Sequence, residues 1–68
     1  MKYEYRKLRG RIVEVFRTHR AFAKELGLSE NSLSKKLNGR SQFDQNDMER
    51  WAELLKIPFE EIGLYFFS

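Results

Sequence analysis

Apolar residues recur at helical spacing in five separate stretches of this chain. In the first, Tyr5, Leu8, Ile12, Val15 and Phe16 share one side, and Arg6, Lys7, Arg9, Arg11 and Glu14 fall between them. That spacing predicts an amphipathic helix of about three turns with a basic outer face. Gly10 inside it costs about 1 kcal/mol relative to alanine, which close approach of another helix would explain. Thr18 is a good N-cap for a second helix, striped by Phe22, Ala23 and Leu26 and ended by Gly27, where a left-handed residue is wanted. Ser29 caps a third helix from about Glu30 to Leu37, and Asn38-Gly39 closes it because both residues tolerate positive φ. In a fourth helix Asp44 is the N-cap, Asp47 lies in the first turn, and Met48, Trp51, Ala52 and Leu55 form the apolar face, with Lys56 at its end. Pro58 suits the first turn of a short fifth helix in which Phe59, Ile62 and Phe66 face inward. No alternating strand of useful length occurs, although the closing "LYFFS" has the composition to extend. The pattern predicts an all-α domain of five helices spanning residues 1–68, without repeats, linkers or low-complexity tracts.

The third helix is underdressed for a core element, with only Leu33 and Leu37 apolar at i, i+4. Two short helices joined by a tight glycine turn describe a helix-turn-helix, whose second helix can lie in the DNA major groove. Ala23 supplies the small residue where the helices touch, Gly27 the positive φ of the turn, and Phe22, Leu26, Leu28 and Leu33 the apolar anchors. Glu30, Asn31, Ser34 and Lys35 leave the outer face of the third helix polar and short enough for a groove.

Composition narrows the picture. The 68 residues are 41% hydrophobic and 15% aromatic, with no cysteine and one histidine, so one small core is expected, with neither disulfides nor a thiolate metal site. No apolar run approaches the ~18 residues of a membrane span, and "MKYEYRKLRG" lacks the apolar core of a signal peptide. A soluble intracellular domain is expected. The net charge of +3 hides a split: residues 1–40 carry +7 and residues 41–68 carry −4. A basic side on so small a chain suits a polyanion, most simply double-stranded DNA. No glycine-rich phosphate loop, metal-ligand cluster or pocketed carboxylate pair accompanies it, so no enzyme, cofactor, metal or small-molecule substrate is expected.

From Thr18 to Arg40, "THRAFAKELGLSENSLSKKLNGR" resembles the helix-turn-helix of lambda-repressor-like proteins of the Cro/CI type. The five-helix layout extends the likeness over nearly the whole chain. "YRKLRG", "KLNGRSQF" and "IPFEEIGLYFF" look most like small Cro-like regulators of temperate phages of Gram-positive bacteria. Three positions depart from the pattern: Lys36 stands where an apolar residue is common, Leu37 where an acid is common, and Arg17 where glycine often precedes the threonine. Leu37, one turn after Leu33, takes over the packing role, with the Lys36 stem along the surface.

The resemblance implies that the residues after the third helix's N-cap read bases: Glu30 and Asn31, then Ser34 and Lys35. Asparagine can pair with adenine, lysine with guanine, and glutamate can accept from cytosine, although Glu30 also suits the helix dipole at a first turn. Backbone anchoring falls to His19, Ser29, Asn38, Arg40 and Ser41, since helix N-termini present free amides to phosphate. The implied function is sequence-specific operator binding by a transcriptional regulator of the Cro/CI type, of phage or prophage origin, in the cytoplasm of a bacterial host cell and associated with its nucleoid; the resemblance leaves repression and activation both open. A two-fold dimer, weak when free and promoted by DNA, is expected to form through the acidic, aromatic C-terminal part, with Tyr65 or Phe67 at the contact. The alternative is a protein-interaction module on the same fold, antirepressor- or antitoxin-like, because Phe59, Tyr65, Phe66 and Phe67 are more aromatic surface than so small a core hides.

Overall fold

The computed structural model describes residues 4–40 and 42–67. It contains α1 (Arg6–Phe16), α2 (His19–Leu26), α3 (Glu30–Leu37) and α4 (Gln45–Leu55), then a short 3₁₀ turn (Phe59–Glu61) that runs into α5 (Ile62–Phe66). The predicted caps are in place. Thr18 Oγ1 accepts from the Ala21 amide, Ser29 Oγ from Ser32, and Asp44 and Asp47 form a reciprocal capping box at α4. No helix among the described residues is long and apolar enough to cross a membrane.

Three helices end in the same way. At α2, Leu28 N–H donates to Ala23 O and Gly27 N–H to Lys24 O; at α3, Arg40 donates to Lys35 and Gly39 to Lys36; at α4, Ile57 donates to Ala52 and Lys56 to Glu53. These are Schellman closures, each needing a left-handed residue. Gly27 (φ 77°) and Gly39 (φ 75°) supply it for α2 and α3, and Lys56 (φ 56°) does so at α4 without glycine's freedom.

The core joins all five helices: Leu8 and Ile12 of α1, Phe22 and Ala23 of α2, Leu33 and Leu37 of α3, Trp51, Ala52 and Leu55 of α4, and Phe66 of α5, together with Tyr5 and Ile57. Phe43, in the connection before α4, has no helical period to betray it, yet it sits at the hub of an aromatic cluster. Its ring centroid lies 4.7 Å from Trp51, 5.1 Å from Phe66 and 5.5 Å from Tyr5, in the edge-to-face arrangement aromatic pairs prefer.

Several expectations change. Phe59 does not face inward; it is 87% exposed. The Schellman closure of α4 draws Ile57 into the core instead, and Pro58 stays extended (ψ 152°) ahead of the 3₁₀ turn rather than inside a helix. Nor does another helix approach Gly10: a β-carbon built there meets nothing within 4 Å. Of "LYFFS", Leu64 to Phe66 are helical rather than extended, and Ser68 lies outside the described residues.

Candidate functional site

The rotation of α3 decides what it presents. Leu33 and Leu37, each 1% exposed, point into the core. Glu30, Asn31, Ser34 and Lys35 therefore share the outward face, at i, i+1, i+4 and i+5, and all four are exposed. Glu30, Asn31 and Lys35 make no side-chain bond among the described residues. Ser34 is different, because its hydroxyl accepts from Asn38 Nδ2 at 3.1 Å.

Residues expected to anchor a phosphate backbone divide in the same way. Ser29 Oγ is taken up by its cap to the Ser32 amide and by donation to Ser32 Oγ, both at 3.1 Å. Asn38 is held at both ends, accepting from Arg9 at 3.0 Å and donating to Ser34. His19 opens α2 half-buried, Arg40 is exposed just past α3, and Ser41 lies outside the described residues. The two proposed dimer residues lie away on α5 and just after it. Lys7 lies over the half-buried Tyr65 ring at 5.7 Å, and Phe67 is 54% exposed.

Several basic residues that composition alone would assign to a polyanion surface are structural. Arg9 donates to the Leu37 carbonyl at 2.8 Å, and Arg11 to the carbonyls of Leu55 at 2.8 Å and Lys56 at 3.1 Å. Each guanidinium thus satisfies the last carbonyls of a neighbouring helix and sits where the helix dipole is negative. Lys36 is likewise inward: Nζ donates to Asp47 Oδ2 at 2.9 Å and to Gln42 O at 3.2 Å, and it lies over the Phe43 ring at 5.4 Å. That hydrogen bond, with further help from the Asp44 amide, holds the Asp47 carboxyl below its usual 3.8, against the opposing effect of burial. A lysine at a position common for apolar residues signals this tie; the arginine clamps carry no local signal.

What remains around the helix-turn-helix is an exposed carboxylate (Glu30), an amide (Asn31), and the exposed cations Lys35, Arg40, Arg20, Lys24 and Arg17. Such a surface can hydrogen-bond base edges and phosphates, or meet an acidic and polar protein surface. No group of three or more histidine, aspartate or glutamate side chains that could hold a metal ion occurs among the described residues.

A family model described as "Protein of unknown function (DUF739)" matches residues 1–68. The chain is similar in structure and sequence to the modulator of repression (MOR) of the temperate bacteriophage TP901-1 from Lactococcus lactis. The two share 34% identity and superpose with a TM-score of 0.87, over 100% of this chain and 92% of that one. No curated protein matches.

Proposed function

Because this chain belongs to the family of proteins of unknown function DUF739, we propose its role from the likeness to the modulator of repression and from the chemistry of α3. It is a non-catalytic regulator of a phage or prophage repression circuit, and it works in the bacterial cytoplasm by contact with another regulatory protein. The observation that carries this reading is the 34% identity, over all of this chain and 92% of the other, to a protein named for modulating repression. The α3 surface supports it. Ser29, Ser34, Asn38 and Lys36 are engaged within the protein, so fewer groups remain for bases and phosphates than the helix-turn-helix pattern implies. Glu30, Asn31 and Lys35 form a small mixed-charge patch suited to a polar protein surface.

A second reading is favoured by the outward placement of Asn31 and Lys35 beside Arg40. Here α3 enters the major groove of an operator as in Cro/CI-type repressors, and a dimer through Tyr65 or Phe67 sets the half-site spacing. Selection of duplexes from a random pool at about 50 mM salt separates the readings. Protein contact predicts that no duplex is enriched, and that the protein releases a temperate-phage repressor from its operator in the same assay. Enrichment of a shared palindromic motif, or failure to release the repressor, overturns it.

A further inference from the structure

We infer that Arg9 and Asn38 fix Ser34 as a hydrogen-bond donor on the α3 face, where it meets a carboxylate of the partner protein, a step that rests on the protein-contact reading above. Arg9 and Asn38 are positioning residues; Ser34 makes the contact.

Arg9 is half-buried on α1 and reaches across to the end of α3. Its Nη2 donates to the Leu37 carbonyl at 2.8 Å and to Asn38 Oδ1 at 3.0 Å, while its Nε donates to the Glu4 carbonyl at 3.3 Å. A guanidinium carries donors and no acceptor, so the end of the Asn38 amide that meets it is the oxygen. The other end, Nδ2, faces Ser34 Oγ at 3.1 Å, and an amide nitrogen can only donate. Ser34 therefore accepts, and its own proton finds no acceptor among the described residues. A free surface serine turns either a lone pair or its proton to a partner. Here the Asn38 side is taken, and the proton points away from it, off the exposed face of α3.

Charge selects the acceptor. Lys35 follows Ser34 and Arg40 lies just past the helix, both exposed, so this end of the face attracts an acidic group. Glu30, exposed one turn before Ser34, repels a phosphate chain laid along the helix but pairs with a cation of a protein. A protein surface with a carboxylate opposite Ser34 and a basic side chain opposite Glu30 matches both ends.

The test uses the full chain and two measurements: release of a temperate-phage repressor from its operator, and nitrogen relaxation of the Asn38 side chain in the free protein. Asn38→Asp keeps the acceptor that Arg9 needs but has no hydrogen to give. Ser34 must then donate inward, and a lone pair faces the partner instead. This variant should melt near the wild type, because an ion pair with Arg9 replaces the amide contact. Ser34→Ala and Asn38→Asp should each require about three- to tenfold more protein for release. Asn38→Asp added to Ser34→Ala should cost little more, since both act through one hydroxyl. Arg9→Ala frees the amide to turn over and should lose about as much; Arg9→Lys, still a donor, should recover most of it. Asn38 Nδ2 should be rigid in the wild type and mobile in Arg9→Ala. Equal losses from Asn38→Asp with and without the Ser34 hydroxyl would assign the effect to charge and overturn the proposal. A mobile Nδ2 in the wild type overturns it too, as does the same ranking of variants in binding to the operator duplex alone. Weakened release in Lys35→Ala with normal release in Ser34→Ala and Asn38→Asp overturns the donor at Ser34 and leaves the α3 reading standing. A wild type that leaves the repressor on its operator overturns that reading, and the carboxylate contact with it.

Discussion

At the scale of single residues, Arg17 shows how a local conformation overrides a side chain's preference. Its backbone sits at φ 74°, ψ −40°, between α1 and the Thr18 cap, and its amide donates to Val13 O at 2.9 Å. The region costs a non-glycine residue on the order of 1–3 kcal/mol, and the exposed Arg17 side chain makes no bond among the described residues that offsets it. Glycine, without a β-carbon, adopts such a positive φ at far lower cost. Arg17→Gly is therefore expected to stabilise the fold by about 1 kcal/mol, after allowing for glycine's larger unfolded-state entropy. An increased urea midpoint at unchanged slope is the expected reading; a lower midpoint would show that the strain is relieved elsewhere. Gly10 is the reverse case, a glycine where its freedom is unused. It lies inside α1 with open space where a β-carbon would go, so Gly10→Ala should add about 1 kcal/mol.

At the scale of elements, what was legible in the sequence was whatever a helix states about itself. Thr18, Ser29 and Asp44 mark starts, Gly27 and Gly39 mark stops, and the periods of Phe22–Ala23, Leu33–Leu37 and Trp51–Ala52–Leu55 mark buried faces, because caps and amphipathicity act within a turn or two. What was not legible depends on another element. Phe43 lies in a connection without a period, and Phe59 falls on a helical spacing that the closure of α4 cancels by taking Ile57 inward. Arg9 reaches a carbonyl 28 residues away and Arg11 one 44 residues away, so their burden as clamps looked like free surface charge. The candidate site was legible to the same extent: the outward face of α3 followed from Leu33 and Leu37, whereas the internal bonds of Ser34 and Asn38 needed the tertiary contact with Arg9. The Lys36–Asp47 tie between α3 and α4 gives a test at this scale. Asp47 titrates below 3.8 in the folded protein, so its carboxylate stabilises the fold above the ordinary aspartate value. That contribution fades as the pH falls from there through the lowered folded value. Asp47→Asn should cost roughly 1 kcal/mol near neutral pH, through the weakened tie and capping box, and should flatten the loss of stability below about pH 4. A variant with the wild-type slope in acid would remove Asp47 from the account.

At the scale of the whole molecule, one cluster does the work of a core. Trp51 is 1% exposed and meets Phe22, Phe43 and Phe66 at ring distances of 4.9, 4.7 and 6.3 Å. Through Phe16–Phe22 and Tyr5–Phe43 the same cluster reaches α1, so α1, α2, α4, α5 and the connection before α4 share it. A domain of 68 residues has a total stability of roughly 3–10 kcal/mol, and removing a buried phenylalanine costs about 3–5 kcal/mol. The two ranges overlap, so one cavity in this cluster threatens every helix together, including the α3 face, whose orientation rests on Leu33 and Leu37 in the same core. Phe66→Ala is expected to lose most of the stability, and its remaining folded fraction should melt with Trp51 fluorescence and far-ultraviolet circular dichroism changing in step. Phe67→Ala, one residue on with its ring 54% exposed, should stay within about 1 kcal/mol of the parent. Similar losses in the two variants would mean that Phe67 is a core residue. A Phe66→Ala protein in which the fluorescence transition precedes the loss of helix would show instead that α1, α2 and α3 hold together without the C-terminal segment.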